Sequence, residues 1–215
     1  MSDALIIFIK NPAPGRVKTR IAATEGHAKA MRIYLELMRH TRETALELDV
    51  NRFLFYGGSI KYGDDWSEED FQKHLQAETD LGGRMSAAFQ RVSETHDKAV
   101  IIGSDCASLT PETVREAFDA LDEHPFVVGP TFDGGYYLLG MRRHMPELFK
   151  NVAWSTESVF ATTTERIKSI GGTYHLTKKL SDIDYAEDWE RYGWKLPEID
   201  KKEFKRKYGN EFPSE

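Results

Sequence analysis

The sequence predicts a three-layer α/β/α sandwich built on a mostly parallel sheet. Residues 4–9 and 99–103 are continuous apolar runs, the pattern produced by strands that a parallel sheet buries on both faces. These runs alternate with helical segments along the chain, and such alternation is typical of parallel α/β sheets. Ligands of these sheets bind beyond the carboxyl ends of the strands, so the loops after the strands are where chemistry is expected.

Each remaining element has a local signal. Shorter runs predict further strands at residues 52–56, 126–129, 136–140 and 173–176. Residues 26–48 carry apolar side chains three and four positions apart, which predicts an amphipathic helix. Thr110 can cap the next helix, whose first turn starts at Pro111. Two later helices are predicted at residues 156–170 and 185–192.

Length and composition exclude several classes of protein. The 215 residues predict one domain over residues 1–195, followed by a charged extension over residues 196–215 that forms a peripheral helix or a frayed end. A net charge of −6 argues against a nucleic-acid partner. The single cysteine, Cys106, excludes an intramolecular disulfide and favours a reducing, cytoplasmic location. The amino-terminal apolar run is too short to span a membrane, so no membrane partner is expected.

A basic loop follows the first predicted strand. Lys10, Arg16, Lys18 and Arg20 lie within eleven residues, together with two prolines and a glycine that give the loop a defined shape. The position after the first strand favours an anion site over a solvated basic turn. The loop is not an ATPase P-loop, because Val17 stands where that motif needs a glycine before the lysine. No dinucleotide-binding glycine motif follows a strand either.

Acidic residues follow two later strands. Asp105 lies two residues after the apolar run 99–103, which makes it the first candidate ligand for Mg²⁺ or Mn²⁺; the alternative is a cap for the following turn. Asp182 and Asp184 alternate with Ile183, so an extended segment projects both carboxylates from one face. One of them can complete the metal site while the other caps the next helix. Asp182 is favoured for the metal and Asp184 for the cap, with the reverse assignment open.

A glycine-rich turn separates two predicted strands at residues 129–140. One interpretation is a plain hairpin turn. The other is a contact with a ligand, because Gly134 and Gly135 allow the backbone to approach a ligand closely. In the second interpretation, Asp133 and Tyr136 supply polar contacts at the rim of the site.

Two further motifs are open between structural and functional roles. Arg84 follows a Gly-Gly turn and either meets a phosphate or covers the surface. Trp154 precedes Ser155, a predicted helix cap, and is either a core residue or a stacking platform. Cys106 has no histidine nearby in sequence and is expected to be a small buried residue rather than a nucleophile.

Six motifs occur in an order that resembles a known family. The resemblance is to an uncharacterised glycosyltransferase-like family with a nucleotide-diphospho-sugar transferase (glycosyltransferase A-type) fold, whose members include arsenosugar biosynthesis and radical-SAM-associated transferases. It extends to about Trp194. Two residues depart from the family pattern, Ala107 in place of a proline and Gly83 where an acidic residue is common. The motifs are FIKNPAPGRVKTR, LGGRM, IIGSDCASLT, GPTFDGGYYLLG, WSTESVF and LSDIDYAEDW.

The resemblance implies a metal-dependent transferase with a nucleotide donor and a small-molecule acceptor. In similar enzymes the loop after the first strand holds the base and phosphates, which corresponds here to residues 10–20, and Asp105 corresponds to the aspartate that binds Mg²⁺ or Mn²⁺. Sugar transfer from a nucleotide sugar is the first expectation, with Asp133 as the one candidate base. Guanylyltransferase-like nucleotidyl transfer to a phosphorylated metabolite is the second, and nucleotide binding without catalysis is the third.

Overall fold

A seven-stranded sheet forms the centre of the protein in a computed structural model that describes residues 3–198 and 200–208. The strand order is β3-β2-β1-β4-β6-β5-β7. β6 runs antiparallel to both of its neighbours, and all other pairs are parallel. The predicted, mostly parallel sheet is therefore confirmed. The strands are β1 Asp3–Ile9, β2 Asn51–Tyr56, β3 Gln72–Leu75, β4 Lys98–Ile102, β5 Phe126–Pro130, β6 Tyr136–Met141 and β7 Tyr174–Leu176.

Helices cover both faces of the sheet and complete the predicted three layers. Leu5 and Ile7 of β1 pack in a cluster with residues of α1 and α3, whereas Ala4 and Ile6 pack with residues of α2 and α4. This alternation follows from the two-residue period of a strand. The helices are α1 Thr19–Leu46, α2 Leu81–Ser93, α3 Pro111–Glu123, α4 Val159–Ser169, α5 Ala186–Tyr192 and α6 Lys201–Tyr208, with a 3₁₀ turn at Pro146–Phe149.

Three local differences from the sequence prediction affect the loops around the sheet. α1 begins at Thr19 rather than near residue 26, with a break at Gly26, where φ is 81°. The basic loop therefore runs directly into a helix. β3 was not predicted, because its sequence QKHL is polar and belongs to an edge strand. α4 begins three residues later than expected, so Ser155 does not cap it; Ser155 instead has a φ of 62°.

Two predicted local features are confirmed. The Thr110 side chain caps α3 by accepting a hydrogen bond from the backbone N–H of Thr113. β5 and β6 pair as an antiparallel hairpin around the glycine-rich turn.

The charged extension contributes α6, and Phe204 in this helix packs against the core cluster that contains α1. Residues 209–215 lie outside the described residues, and the boundary at residue 195 stays a prediction. Within residues 3–198 and 200–208, no helix combines the length and apolar character needed to cross a membrane.

Candidate functional site

The candidate site lies at the edge where β1, β4 and β5 have their carboxyl ends. Three connections meet there, namely the basic loop, the loop after β4 and the hairpin turn between β5 and β6. The segment 181–184 joins them, because the backbone N–H of Ile183 donates to the carbonyl oxygen of Asp105 over 2.9 Å. The topology thus brings the predicted basic and acidic residues to one edge of the sheet.

Lys18 connects two of these segments. Its side chain is only 6% exposed; its Nζ pairs with Asp105 Oδ1 and donates to the carbonyl oxygen of Ile183 over 2.7 Å. The residue has a left-handed backbone conformation at the start of α1, with a φ of 46°. Asp105 therefore pairs with an ammonium group, and Thr110 rather than Asp105 caps the helix that follows.

Asp182 is a partly buried carboxyl group surrounded by other charges. Burial, and after it the nearby carboxylate of Asp105, raise its pKa from an ordinary value of 3.8 to about 7. Lys18 opposes this shift, while Asp133 and Asp184 add to it. Four acidic residues from three segments of the chain therefore share one electrostatic environment.

The raised pKa of Asp182 makes stability depend on pH. The folded protein retains this proton between about pH 4 and pH 7, whereas the unfolded chain releases it near 3.8. Stability from this group is therefore fully present below 3.8 and is lost as the pH rises through about 7. We expect the wild type to lose more stability than Asp182→Asn between about pH 5 and pH 8, measured by urea unfolding in EDTA. An equal loss in both proteins would contradict this assignment.

Asp184 has a different partner from the one predicted. Its Oδ2 accepts a hydrogen bond from Arg20 Nη1 over 2.8 Å, and the Arg20 guanidinium lies 5.2 Å from the centre of the Tyr185 ring. The predicted cap by Asp184 is wrong. Asp188 caps α5 instead, because its Oδ2 accepts from the backbone N–H groups of Asp184 and Tyr185 over 3.0 and 2.8 Å. A carboxylate in the first turn of a helix can reach back in this way.

Tyr34 is a site residue that the sequence analysis missed. Its hydroxyl accepts from the backbone N–H of Lys10 over 2.9 Å and donates to the Lys10 carbonyl oxygen over 2.8 Å. Burial and the charge of Asp105 raise its pKa. In the sequence, Tyr34 belongs to the apolar stripe of α1. Its hydroxyl group was the one feature that could have indicated a role in the site.

The basic loop is also fixed to the loop after β2. Asn11 Nδ2 donates to the carbonyl oxygen of Ser59 over 2.8 Å, and its Oδ1 accepts from the backbone N–H of Ser59 over 2.9 Å. Lys10 and Arg16 have exposed side chains on this loop. The backbone that carries these two cations is therefore held by hydrogen bonds on two sides, to Tyr34 and to Ser59.

The hairpin turn between β5 and β6 packs closely against the loop before α4. Gly134 has a φ of 89°, and a Cβ atom there would lie 2.1 Å from the Glu157 carbonyl oxygen. Asp133 is exposed, and its Oδ1 accepts hydrogen bonds from the Thr131 hydroxyl and the backbone N–H of Gly135. The close approach that requires glycine at position 134 is thus made to the loop before α4.

Tyr136 does not reach the acidic group. Its hydroxyl donates to the Met85 sulfur over 3.8 Å on the opposite face of the sheet, and burial raises its pKa. Within the described residues, Tyr136 therefore does not make the predicted polar contact at the rim of the site. The strand alternation directs this side chain towards α2.

Trp154 and Arg84 also lie on the α2 side. The Trp154 ring packs on Gly82, where a Cβ atom would lie 2.5 Å from it, and the buried indole N–H has no partner among the described residues. Arg84 Nε donates to the Thr79 carbonyl oxygen over 2.8 Å. The structure does not connect either residue to Asp105.

The thiol of Cys106 is buried as predicted, and burial raises its pKa to about 12. A thiol with this pKa is a poor nucleophile at neutral pH. Within the described ranges, no three His, Cys, Asp or Glu side chains are already arranged to hold a metal ion. Lys18 is the cation that contacts Asp105 directly.

Residues 40–156, more than half of the chain, match the family DUF2064, which is described as an uncharacterized protein conserved in bacteria. The chain belongs to this family. A sequence comparison with curated proteins finds no match.

Solved structures show the fold of this DUF2064 protein. It is similar to a crystal structure from Desulfovibrio desulfuricans G20, provisionally named a nucleotide-diphospho-sugar transferase, with 28% identity, a TM-score of 0.79 and coverage of 86% of this chain and 84% of that chain. The fold prediction is thereby confirmed.

Two more distant structures share the fold alone. The inositol-1-phosphate CTP transferase from T. maritima is 12% identical, with a TM-score of 0.57 over 95% of this chain and 94% of the other. The manganese complex of Rv0371c from Mycobacterium tuberculosis H37Rv is 15% identical, with a TM-score of 0.53 over 89% and 97%.

Proposed function

We propose that this protein is a metal-dependent transferase that uses a nucleotide donor at the carboxyl edge of its sheet. Sugar transfer from a nucleotide sugar to a small acceptor is the first candidate reaction. The observation that carries the proposal is the junction of Lys18, Asp105 and the segment 181–184, which places a basic loop against a group of carboxylates. Phosphates and a divalent cation together match this charge pattern.

The residues around Asp105 fit Mg²⁺ or Mn²⁺ by their chemistry. Asp105 and Asp182 offer carboxylate oxygens, which these hard cations prefer, and two protein carboxylates are sufficient where substrate phosphates supply further ligands. Burial and the Asp105 carboxylate raise the pKa of Asp182, so a divalent cation at this position would stabilise its ionised form. Asp184 is the third candidate ligand, although it is paired with Arg20. A bound divalent cation would neutralise negative charge that develops on the donor phosphates.

The protein's own cations have a separate role in this proposal. Lys10, Arg16 and Arg20 are exposed beside the junction and would bind the donor phosphates. Lys18 would add its charge once the donor is present. For sugar transfer, the exposed carboxylate of Asp133 would accept the proton of the acceptor hydroxyl. Gly134, Gly135, Tyr136, Arg84 and Trp154 remain weaker candidates for substrate contact, because their described contacts are internal.

Similar proteins support a nucleotide donor. The D. desulfuricans protein carries the provisional name of a nucleotide-diphospho-sugar transferase, and the M. tuberculosis structure is a manganese complex. The sequence resemblance to arsenosugar biosynthesis and radical-SAM-associated transferases implies a small-molecule acceptor. The buried, single cysteine is compatible with a reducing, cytoplasmic location.

Nucleotidyl transfer to a phosphorylated metabolite is the second candidate reaction. The likeness to a CTP transferase favours it. In this reaction the acceptor phosphate attacks the α-phosphorus of a nucleoside triphosphate, so Asp133 need not act as a base.

The products distinguish the candidates. The protein is incubated with Mn²⁺, an acceptor panel and each nucleoside triphosphate or nucleotide sugar. Release of a nucleoside diphosphate supports sugar transfer, and release of pyrophosphate supports nucleotidyl transfer. A nucleotide-induced rise in melting temperature that is independent of metal and intact in Asp105→Ala, with neither product, would instead indicate binding without catalysis.

A further inference from the structure

Lys18 differs from the other cations of the basic loop. Lys10, Arg16 and Arg20 have exposed side chains, whereas the Lys18 side chain is 6% exposed and lies among acidic groups. Its ammonium contacts Asp105 Oδ1 and the Ile183 carbonyl oxygen at the same time. A buried ammonium is stable only when such partners compensate for its lost hydration.

The Lys18 ammonium contacts the kinds of atom that a divalent cation would use as ligands. It contacts a carboxylate oxygen and a carbonyl oxygen, which are both ligand types that hard divalent cations use. It also lowers the pKa of Asp182, so it partly neutralises a second candidate ligand.

We propose that Lys18 is the internal counter-ion of the metal site and competes with the divalent cation for Asp105. In the metal-free protein Lys18 neutralises the carboxylates and holds the segment 181–184 against the loop after β4. In the loaded protein Lys18 turns from Asp105 towards the donor phosphates. This inference rests on the proposed function for the identity of the cation and the donor.

Charge balance supports competition rather than joint binding. Asp105, Asp182 and Asp184 carry three negative charges when ionised, and Lys18 and Arg20 supply two positive charges within the same group. Adding a divalent cation beside an ammonium that shares its ligand creates like-charge repulsion. The long, flexible lysine side chain allows Nζ to leave Asp105 while the backbone stays fixed.

The test is metal binding without nucleotide. Mn²⁺ affinity is measured from the electron paramagnetic resonance signal of free Mn²⁺ for the wild type, Lys18→Met and Lys18→Gln. Removing the competing charge is expected to tighten Mn²⁺ binding roughly tenfold in both variants. Two variants are used because loss of a buried ammonium can destabilise the junction, and circular dichroism shows whether each is folded.

Lys98→Met is the matched control. Lys98 is also a largely buried lysine, with 12% of its side chain exposed and an ion pair to Asp122 at 2.6 Å. It begins β4, whereas Asp105 follows the end of that strand, so the two lysines lie at opposite edges of the sheet. Mn²⁺ affinity is expected to be unchanged in Lys98→Met. Adding Asp105→Asn to Lys18→Met is expected to abolish the gain.

Unchanged or weaker Mn²⁺ binding in both folded Lys18 variants would overturn the inference, as would equal tightening in Lys98→Met. The result is separable from the proposed function. Tighter Mn²⁺ binding without any transfer product would support the role of Lys18 and contradict transferase activity. Transfer products together with an Mn²⁺ affinity that does not depend on Lys18 would support transferase activity and contradict the role of Lys18.

Discussion

Asp105→Asn is expected to lower metal-dependent transfer by roughly 100-fold or more, because loss of one electrostatic contact in the transition state commonly has an effect of this size. The substitution preserves the shape of the side chain and removes its charge. It takes away one metal ligand and also leaves the buried ammonium of Lys18 without its carboxylate. The measurement is the initial rate of product release under saturating donor and Mn²⁺.

Asp122→Asn is the control for this variant. Asp122 also pairs with a buried lysine, at the opposite edge of the sheet, so the substitution makes the same chemical change far from the junction. Its rate is expected to equal that of the wild type. An Asp105→Asn variant that keeps more than about a tenth of the wild-type rate would contradict the proposed metal role.

Gly134→Ala is expected to destabilise the protein by about 2–4 kcal/mol, because it combines an unfavourable backbone conformation with a steric clash. The φ of 89° is rarely adopted by alanine, and the new Cβ atom would lie 2.1 Å from the Glu157 carbonyl oxygen. The turn must then move away from the loop before α4. This movement would also weaken the hydrogen bond of 2.9 Å from the Phe160 N–H to the Gly134 carbonyl oxygen.

Gly171→Ala separates the two contributions. Gly171 has a φ of 73°, but nothing lies within 4 Å of an added Cβ atom. It is therefore expected to lose only about 1 kcal/mol, the cost of the backbone conformation. Urea unfolding gives the free energy of unfolding of both variants. Equal losses in the two variants would show that the contact with Glu157 does not constrain the turn.

Most of the sheet could be predicted from the sequence, because strands that are buried on both faces have a strongly apolar sequence. The runs that became β1 and β4 are apolar without interruption, since helices cover both faces of these central strands. The polar edge strand Gln72–Leu75 carries no such pattern, because burial on an edge is incomplete. Asp105 could be placed at the carboxyl edge because its position follows directly from the end of a strong strand.

The contacts within the candidate site were less predictable. The burial of Lys18 depends on Ile183, which lies 165 positions away in sequence, so no local pattern indicates it. The orientation of Tyr136 depends on where the hairpin register begins, and a shift of one residue would reverse its face. Asp184 and Asp188 both stand near the start of α5, and only the structure distinguishes the cap from the partner of Arg20.

The contact between Lys18 and Ile183 also bears on how the protein folds. It closes a loop of 165 positions, which contains most of the chain, and closing a loop of this length costs chain entropy. During synthesis the lysine leaves the ribosome long before its carbonyl partner exists. Until then its ammonium must stay hydrated, so the amino-terminal part of α1 cannot reach its final burial. Completion of the charged junction is therefore tied to the arrival of the last part of the sheet domain.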